Sequence, residues 1–380
     1  MDKRLFIDVH IVQTVPPANL NRDDQGNPKE AYFGGVRRAR VSSQAWKRAT
    51  RTAFAQHAPE HDHATRTKRI VAELAKRLIS RTGLEAGQGA RLAAKLLEPL
   101  GIKEGKKAGD TAYLLFFGYR QLEDIVDLVA GRAADLAALD DEQLAAAVKE
   151  LPVAQKLQSG HPMDVALFGR MVADIPSLNV DAAAQVAHAL STHAVELEFD
   201  YYTAVDDENL KEETGAGMIG TIGFNSATLY RYATIGLHQL AANLGDTDAA
   251  LDAVEAFVQH FARSIPSGHQ NSFAHRTLPS LVAVVVRDDQ PVNLVSAYER
   301  PVIAGEEGIA EASAVLLAAE YERAVRQWGD APVHAAVCHT YAPGSDTAAK
   351  LGSAFGEQQT FPELAAGLRG TLVDLLKQAG

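Results

Sequence analysis

Between residues 65 and 192 the chain is helical in pattern almost throughout, and strand patterns stand on both sides of that block. Segments such as "TKRIVAELAKRLIS", "RLAAKLLEPL", "QLEDIVDLVAGRAADLAAL" and "DAAAQVAHALSTH" repeat apolar residues at helical spacing. The breaks "GIKEGKKAGD" and "GHPMD" carry the Gly and Pro residues that separate helices. Ahead of the block, Leu5, Ile7, Val9 and Ile11 alternate with Phe6, Asp8, His10 and Val12, which predicts a half-buried strand. Residues 14–35 are turn-rich and read as a long loop. After the block, "AVELEFDYYTAV" and "ATLYRYATIGL" bracket the Gly-rich span "DDENLKEETGAGMIGTIGFNS", the pattern of a long protruding hairpin. A helix ("DAALDAVEAFVQHFARSI"), a buried strand ("LPSLVAVVVRD"), a helix ("EASAVLLAAEYERAVRQW"), a short strand ("VHAAVCHTY") and a last helix ("FPELAAGLRGTLVDLLKQ") follow. Strand, helix, insertion, strand, strand, helix, strand is the split βαβ order of a ferredoxin-like or RNA-recognition-type (RRM) core. The expected fold class is therefore α+β, with a helical insertion and a projecting β-hairpin.

A chain of 380 residues buries a large core without staples. Cys338 is the only cysteine, which rules out internal disulfides and points to a reducing compartment. "MDKRLFIDVHIVQT" lacks the apolar run of a signal peptide, and no stretch approaches the ~18 apolar residues of a membrane span. The expectation is a cytoplasmic protein with no membrane partner.

The formal net charge is −11, yet "FGGVRRARVSSQAWKRATR" (Phe33 to Arg51) holds six basic residues and no acid. Residues 1–51 carry ten basic and five acidic groups, and residues 52–380 carry 27 and 43. Such segregation argues against a protein that coats nucleic acid with its whole surface and for one focused binding face. From Ser42 the period becomes helical, with Ser42 or Ser43 as cap. On the wheel Trp46, Ala49 and Ala53 share one face, while Gln44, Lys47, Arg48 and Arg51 share the opposite one. A helix N-terminus with two hydroxyls and a cationic stripe behind it suits successive phosphates. Arg37, Arg38 and Arg40 on a Gly-hinged segment, with Arg22 and Lys29 in the preceding loop, extend that track. Contacts of this kind fix a backbone without reading bases, so binding should be sequence-tolerant and salt-dependent.

Catalytic signals are weak. His57, His61 and His63, beside Glu60 and Asp62, read as a solvated tract, since no second ligand cluster stands out. "GIKEGKK" (Gly101 to Lys107) is one residue short of a phosphate loop and lacks its Ser or Thr. "GSAFG" (Gly352 to Gly356) places its serine one position early for a nucleophile elbow. Asp200, Asp206, Asp207 and Glu208 could hold a divalent ion, but read more simply as a solvated hairpin base. The RRM submotif with its stacking aromatics is missing. No catalytic set, metal site or cofactor is expected.

The stretches "LNRDD" (Leu20 to Asp24), "FGGVRRARVSSQAWKRATR", "VALFGRM" (Val165 to Met171), "YTAVDD" (Tyr202 to Asp207) and "LYRYATI" (Leu229 to Ile235) closely resemble the CasC family. That family supplies the backbone subunit of Cascade, the type I-E CRISPR effector complex. The resemblance implies a right-hand shape: an RRM-like palm over 1–64 and 161–380, helical fingers over 65–160, and a hairpin thumb at about 196–226. It implies a non-enzymatic subunit that stacks head to tail with copies of itself along CRISPR RNA, beside other Cascade subunits. Arg22, Lys29, Arg37, Arg38, Arg40, Ser42, Ser43, Gln44, Lys47, Arg48 and Arg51 become contacts to guide phosphates. Met171, and Met218 with Ile219 in "GMIG", become apolar wedges beside a displaced base. The remaining bases would pair with target DNA, the guide doing the reading. Two alternatives stay open: a metal-dependent RNA-cleaving backbone subunit as in type III complexes, with Asp206 or Asp207 acting, and a general single-strand RNA binder.

Overall fold

The computed structural model describes residues 4–57, 62–103, 105–107, 109–204 and 218–378, without the side chains of 57, 203, 204, 218 and 219. Its described strands are β1 (Phe6–Ala18), β2 (Glu30–Phe33), β3 (Val36–Val41), β4 (Ala64–Thr67), β5 (Leu115–Gly118), β6 (Ala184–Val186), β7 (Ala189–Ser191), β8 (Glu198–Ala204), β9 (Met218–Gly236), β10 (Leu281–Arg287) and β11 (His334–His339). One large sheet runs in the order β11-β10-β1-β9-β7-β3-β2, with β6 and β8 also pairing with β9. β1 pairs antiparallel with β10 from Phe6 opposite Arg287 to Val12 opposite Leu281. The long helix α1 (Ser43–His57) follows β3, and a helix over Thr247–Arg263 follows β9. Among the described residues no helix is long and apolar enough to cross a membrane.

The chain divides into two compact units: Met1–Ala53 with Gln185–Ile235 and Val254–Gly380, and Phe54–Ala184 with Gly236–Ala253. The second unit is wider than the 65–160 span that the resemblance implies for the fingers. Phe54, at the end of α1, stacks on Phe168 with ring centroids 6.4 Å apart. The helix Leu237–Leu244 joins it through Asn243, whose Nδ2 donates to the carbonyls of Ala166 at 2.9 Å and Asp181 at 2.8 Å. Its core is aliphatic, with Leu74, Leu78, Leu92, Leu96, Leu122, Ile125 and Leu144 fully buried. It is not helical throughout. β4 and β5 form a two-stranded antiparallel sheet inside the helical block, from Ala64 opposite Gly118 to Thr67 opposite Leu115. "LFFG" is too short an apolar run for periodicity to separate strand from helix.

In the first unit the expectation of a half-buried β1 fails. Leu5, Ile7, Val9 and Ile11 are buried, and so are Asp8, His10 and Val12 on the other face. A central strand covered on both sides must give its polar residues partners. Asp8 accepts from Arg287 Nε at 2.8 Å, from the Tyr232 hydroxyl at 2.9 Å and from the Val292 N–H at 2.9 Å. Arg287 also pairs with Asp330. His10 Nδ1 and the Tyr230 hydroxyl are hydrogen-bonded at 2.9 Å. The expected loop over 14–35 is strand at both ends: β1 runs on to Ala18 through Pro16 and Pro17, and β2 begins at Glu30. Both prolines lie beyond the Val12–Leu281 end of the β10 register, so no donor is missed on that side.

Candidate nucleic-acid interface

α1 presents the two faces its sequence requires, with a shift in what makes the inner one. Trp46 and Thr50 are fully buried and Phe54 nearly so, whereas Ala49 and Ala53 are only half-buried. The indole of Trp46 covers a buried arginine from β9: the Arg231 guanidinium lies 3.8 Å from its ring centroid and 4.6 Å from that of Phe261. Arg231 donates to Gln13 Oε1 at 2.6 Å and to the Ala262 and Phe261 carbonyls. Its burial pushes the guanidinium pKa down to about 9. Thr50 completes the seam, its hydroxyl meeting that of Ser264 at 3.3 Å. On the outer face Gln44 and Arg48 are exposed, and Lys47 and Arg51 are half-buried.

At the start of α1, Ser42 is buried at 9% exposure and acts as the cap, its Oγ accepting from the Ala45 N–H at 3.3 Å. The Ser42 N–H donates to Asn21 Oδ1 at 2.9 Å, and the Ser43 N–H donates to His188 Nδ1 at 3.2 Å. Ser42 is therefore committed to the helix end rather than held out to a ligand. His188 is exposed, and its pKa is lowered first by partial desolvation and then by the charges of Arg40 and Lys29. Lys29, Arg40, His188 and Ser43 thus converge at the α1 N-terminus. Sequence inspection missed His188 because it stands 145 residues from Ser43 in the chain.

The hairpin β2–β3 carries the remaining arginines, and they divide sharply. Its turn is Gly34-Gly35, at φ +60° and +78°. A Cβ on Gly34 would sit 1.6 Å from the Glu299 carbonyl oxygen, so only glycine fits there. Arg37 is exposed but pairs with Glu30 at 2.5 Å and lies 5.6 Å from the Tyr32 ring centroid. Arg40 is half-buried, its Nε donating to the Glu30 carbonyl at 3.1 Å. Arg38, expected as a phosphate contact, is turned inward. It is fully buried and donates to the carbonyls of Phe33, Ser191, Tyr298 and Glu299 at 2.8–3.2 Å. Alternation along β3 points it inward, where it ties the hairpin to residues 150 and more positions away. Arg22 is exposed in the loop before β2.

The hairpin of β8 and β9 pairs antiparallel from Glu198 opposite Phe224 to Ala204 opposite Met218. Phe199 and Tyr201 on β8 are 61% and 62% exposed, so one strand face shows two aromatic rings. The side chains of Met218 and Ile219, and the whole of Asp206, Asp207 and Glu208, lie outside the described residues. Met171, in the second unit, is 85% exposed and follows Arg170, which is buried and bound to the carbonyls of Leu178, Phe116 and Leu157. Among the described residues no group of three His, Cys, Asp or Glu side chains is placed to hold a metal ion, and His61 lies outside them.

The fold matches a chain of a pre-nicking CRISPR RNA-guided surveillance complex at a TM-score of 0.81 and 32% identity, over 96% of this chain and 99% of that one. A chain of a second CRISPR RNA-guided surveillance complex matches at a TM-score of 0.73 and 29% identity, again over 96% and 99%. No curated protein matches the sequence. The likeness is to subunits of CRISPR surveillance complexes, over nearly the full length of both chains. The family model of CT1975-like proteins matches residues 7–366, and this chain belongs to that family. Both results agree with the resemblance to CasC backbone subunits carried by "LNRDD" and "FGGVRRARVSSQAWKRATR".

Proposed function

We propose that this chain is a non-enzymatic backbone subunit of a Cascade-type complex that grips CRISPR RNA by its phosphates. The observation that carries the reading is the full-length likeness to surveillance-complex subunits, in a chain that is acidic overall yet carries ten basic against five acidic groups in residues 1–51. Arg22, Arg48 and Gln44, with half-buried Lys29, Arg40, Lys47 and Arg51, form the phosphate track; Arg38 and Ser42 support it from within. The strands β10-β1-β9-β7, with α1 and the helix Thr247–Arg263, act as the RRM-like palm. The helical unit acts as fingers and the β8–β9 hairpin as thumb. Copies stack head to tail on the guide, in an arrangement limited by RNA length rather than closed into a ring. Met171, Met218 and Ile219 act as the wedges that displace a base at intervals, leaving the others to pair with target DNA.

The test is purification from cells that express the neighbouring CRISPR genes, sequencing of the bound RNA, and chemical probing of its bases. Guide RNA with exposed bases at a short regular repeat is the expected result. Mixed cellular RNA without periodicity would reduce the protein to a general single-strand binder. A preparation free of RNA would remove the reading.

A further inference from the structure

Beside the phosphate track lies a small recess between β1, β3 and β9. Its walls are apolar, formed by Val15, Leu20, Ala39, Val41, Ala227 and Leu229, and its free volume is about 20 Å³. Lys29 and Arg40 stand on its lining, and so does Asn21, which holds the first N–H of the α1 cap. One further residue reaches it: Asn225 of β9, 8% exposed, whose amide Nδ2 has no hydrogen-bond partner. Buried amide donors without an acceptor are uncommon, and each calls for an explanation. On the neighbouring loop the corresponding donor of Asn19 is satisfied: its Nδ2 donates to the carbonyls of Gly26 and Gly223, both at 2.9 Å.

The size and chemistry of the recess restrict what it accepts. A volume of about 20 Å³ holds one water-sized oxygen and nothing as large as a base or a phosphate. Apolar walls with one unpartnered amide donor suit a neutral group, and the anionic phosphate is left to Lys29 and Arg40. The group must also be attached to a strand whose phosphates lie against Lys29 and Arg40. A ribose 2′-hydroxyl meets all of these conditions, and it is donor and acceptor at once, so it satisfies either end of the amide.

We infer that Asn225 receives a ribose 2′-hydroxyl in this recess and makes the track selective for RNA over DNA. The inference rests on the phosphate-track reading above and adds to it a residue that tells one sugar from the other. Phosphate contacts alone treat the two backbones alike. Asn225 is thus a specificity-determining residue, and Lys29 and Arg40 determine affinity.

The experiment measures binding of the full chain to three short single strands of one sequence: RNA, DNA and 2′-O-methyl RNA. The methylated strand keeps an RNA-like sugar pucker but fills the space the hydroxyl oxygen needs. The unaltered protein should bind RNA about five- to tenfold tighter than either other strand, the scale of one hydrogen bond to a buried donor. Asn225→Leu should lower RNA affinity to that of DNA and leave DNA affinity where it was. Equal binding of RNA and 2′-O-methyl RNA by the unaltered protein would overturn the inference while keeping the track, and this arm needs no variant to fold. An RNA preference that survives Asn225→Leu would overturn it too. Failure to bind any of the three strands would remove the track itself, and the inference with it.

Discussion

Arginine does opposite work in two regions of the sheet-bearing unit. In the interior, Arg38, Arg231 and Arg287 are fully buried, each donating to carbonyls or carboxylates of distant segments. On the surface, Arg22 and Arg48 are exposed and available to a ligand. Arg38 and Arg48 belong to the same basic stretch, ten positions apart, and their local sequence does not separate them. A buried guanidinium offers five fixed donors to several carbonyls at once, which a lysine could not match. In the interior that property ties together strands from opposite ends of the chain. On the surface the same charge is turned to the solvent.

The first way to break the comparison is Arg38→Ala. It strips the donor from four buried or half-buried carbonyls, at about 1–3 kcal/mol for a group left unsatisfied, so denaturant unfolding should show a loss of roughly 3 kcal/mol or more. An unchanged midpoint with weakened RNA binding would return Arg38 to the track.

A second probe uses the interior's sensitivity to acid. His10 is fully buried, and desolvation, followed by the charge of Arg287, lowers its pKa from the usual 6.5 to about 3. Tyr230, Tyr232 and Arg287 surround it. The unfolded chain takes up a proton near pH 6.5 and the folded chain does not until about pH 3, so unfolding binds a proton in that window. The stability contributed by neutral His10 is complete above pH 6.5 and is lost as pH falls towards 3, by at most ~1.4 kcal/mol per pH unit. Urea midpoints of the native chain and of His10→Gln across that window should show a shallower slope in the variant. Parallel slopes would mean that His10 titrates normally in the folded protein.

The surface should show the smallest stability effect and the clearest binding effect. Arg22→Ala combined with Arg48→Ala should leave stability within about 0.5 kcal/mol. The slope of log affinity for single-stranded RNA against log salt should flatten by about 1.4, at roughly 0.7 for each phosphate that is no longer neutralised. A destabilised double variant with an unchanged slope would reverse the assignment of the two regions.

Much of this arrangement was legible in the chain. The alternation of Leu5, Ile7, Val9 and Ile11 marks a strand, and the wheel over Ser43–His57 separates a buried face holding Trp46 from an outer face holding Arg48. β10, β11, the helix between them and the last helix also follow from period, whereas β2, β3 and the strands β6 and β7 inside the helical-looking "DAAAQVAHALSTH" do not. The legible features are local: a repeat of two or of 3.6 residues is written into neighbouring side chains. What covers the second face of a strand is not local. Asp8 and His10 are buried because β9 and residues around 287–294, more than 200 positions on, close over them. Arg38 is structural because Ser191, Tyr298 and Glu299 bring carbonyls to it. His188 and Asn225 join the interface only through pairing between strands far apart in sequence. The sequence by itself determined β1, α1, β10, β11 and the stretch where positive charge is concentrated. Only the tertiary structure decided which of those charges face water, because burial is a property of what packs against a residue and not of the residue's own neighbours in the chain.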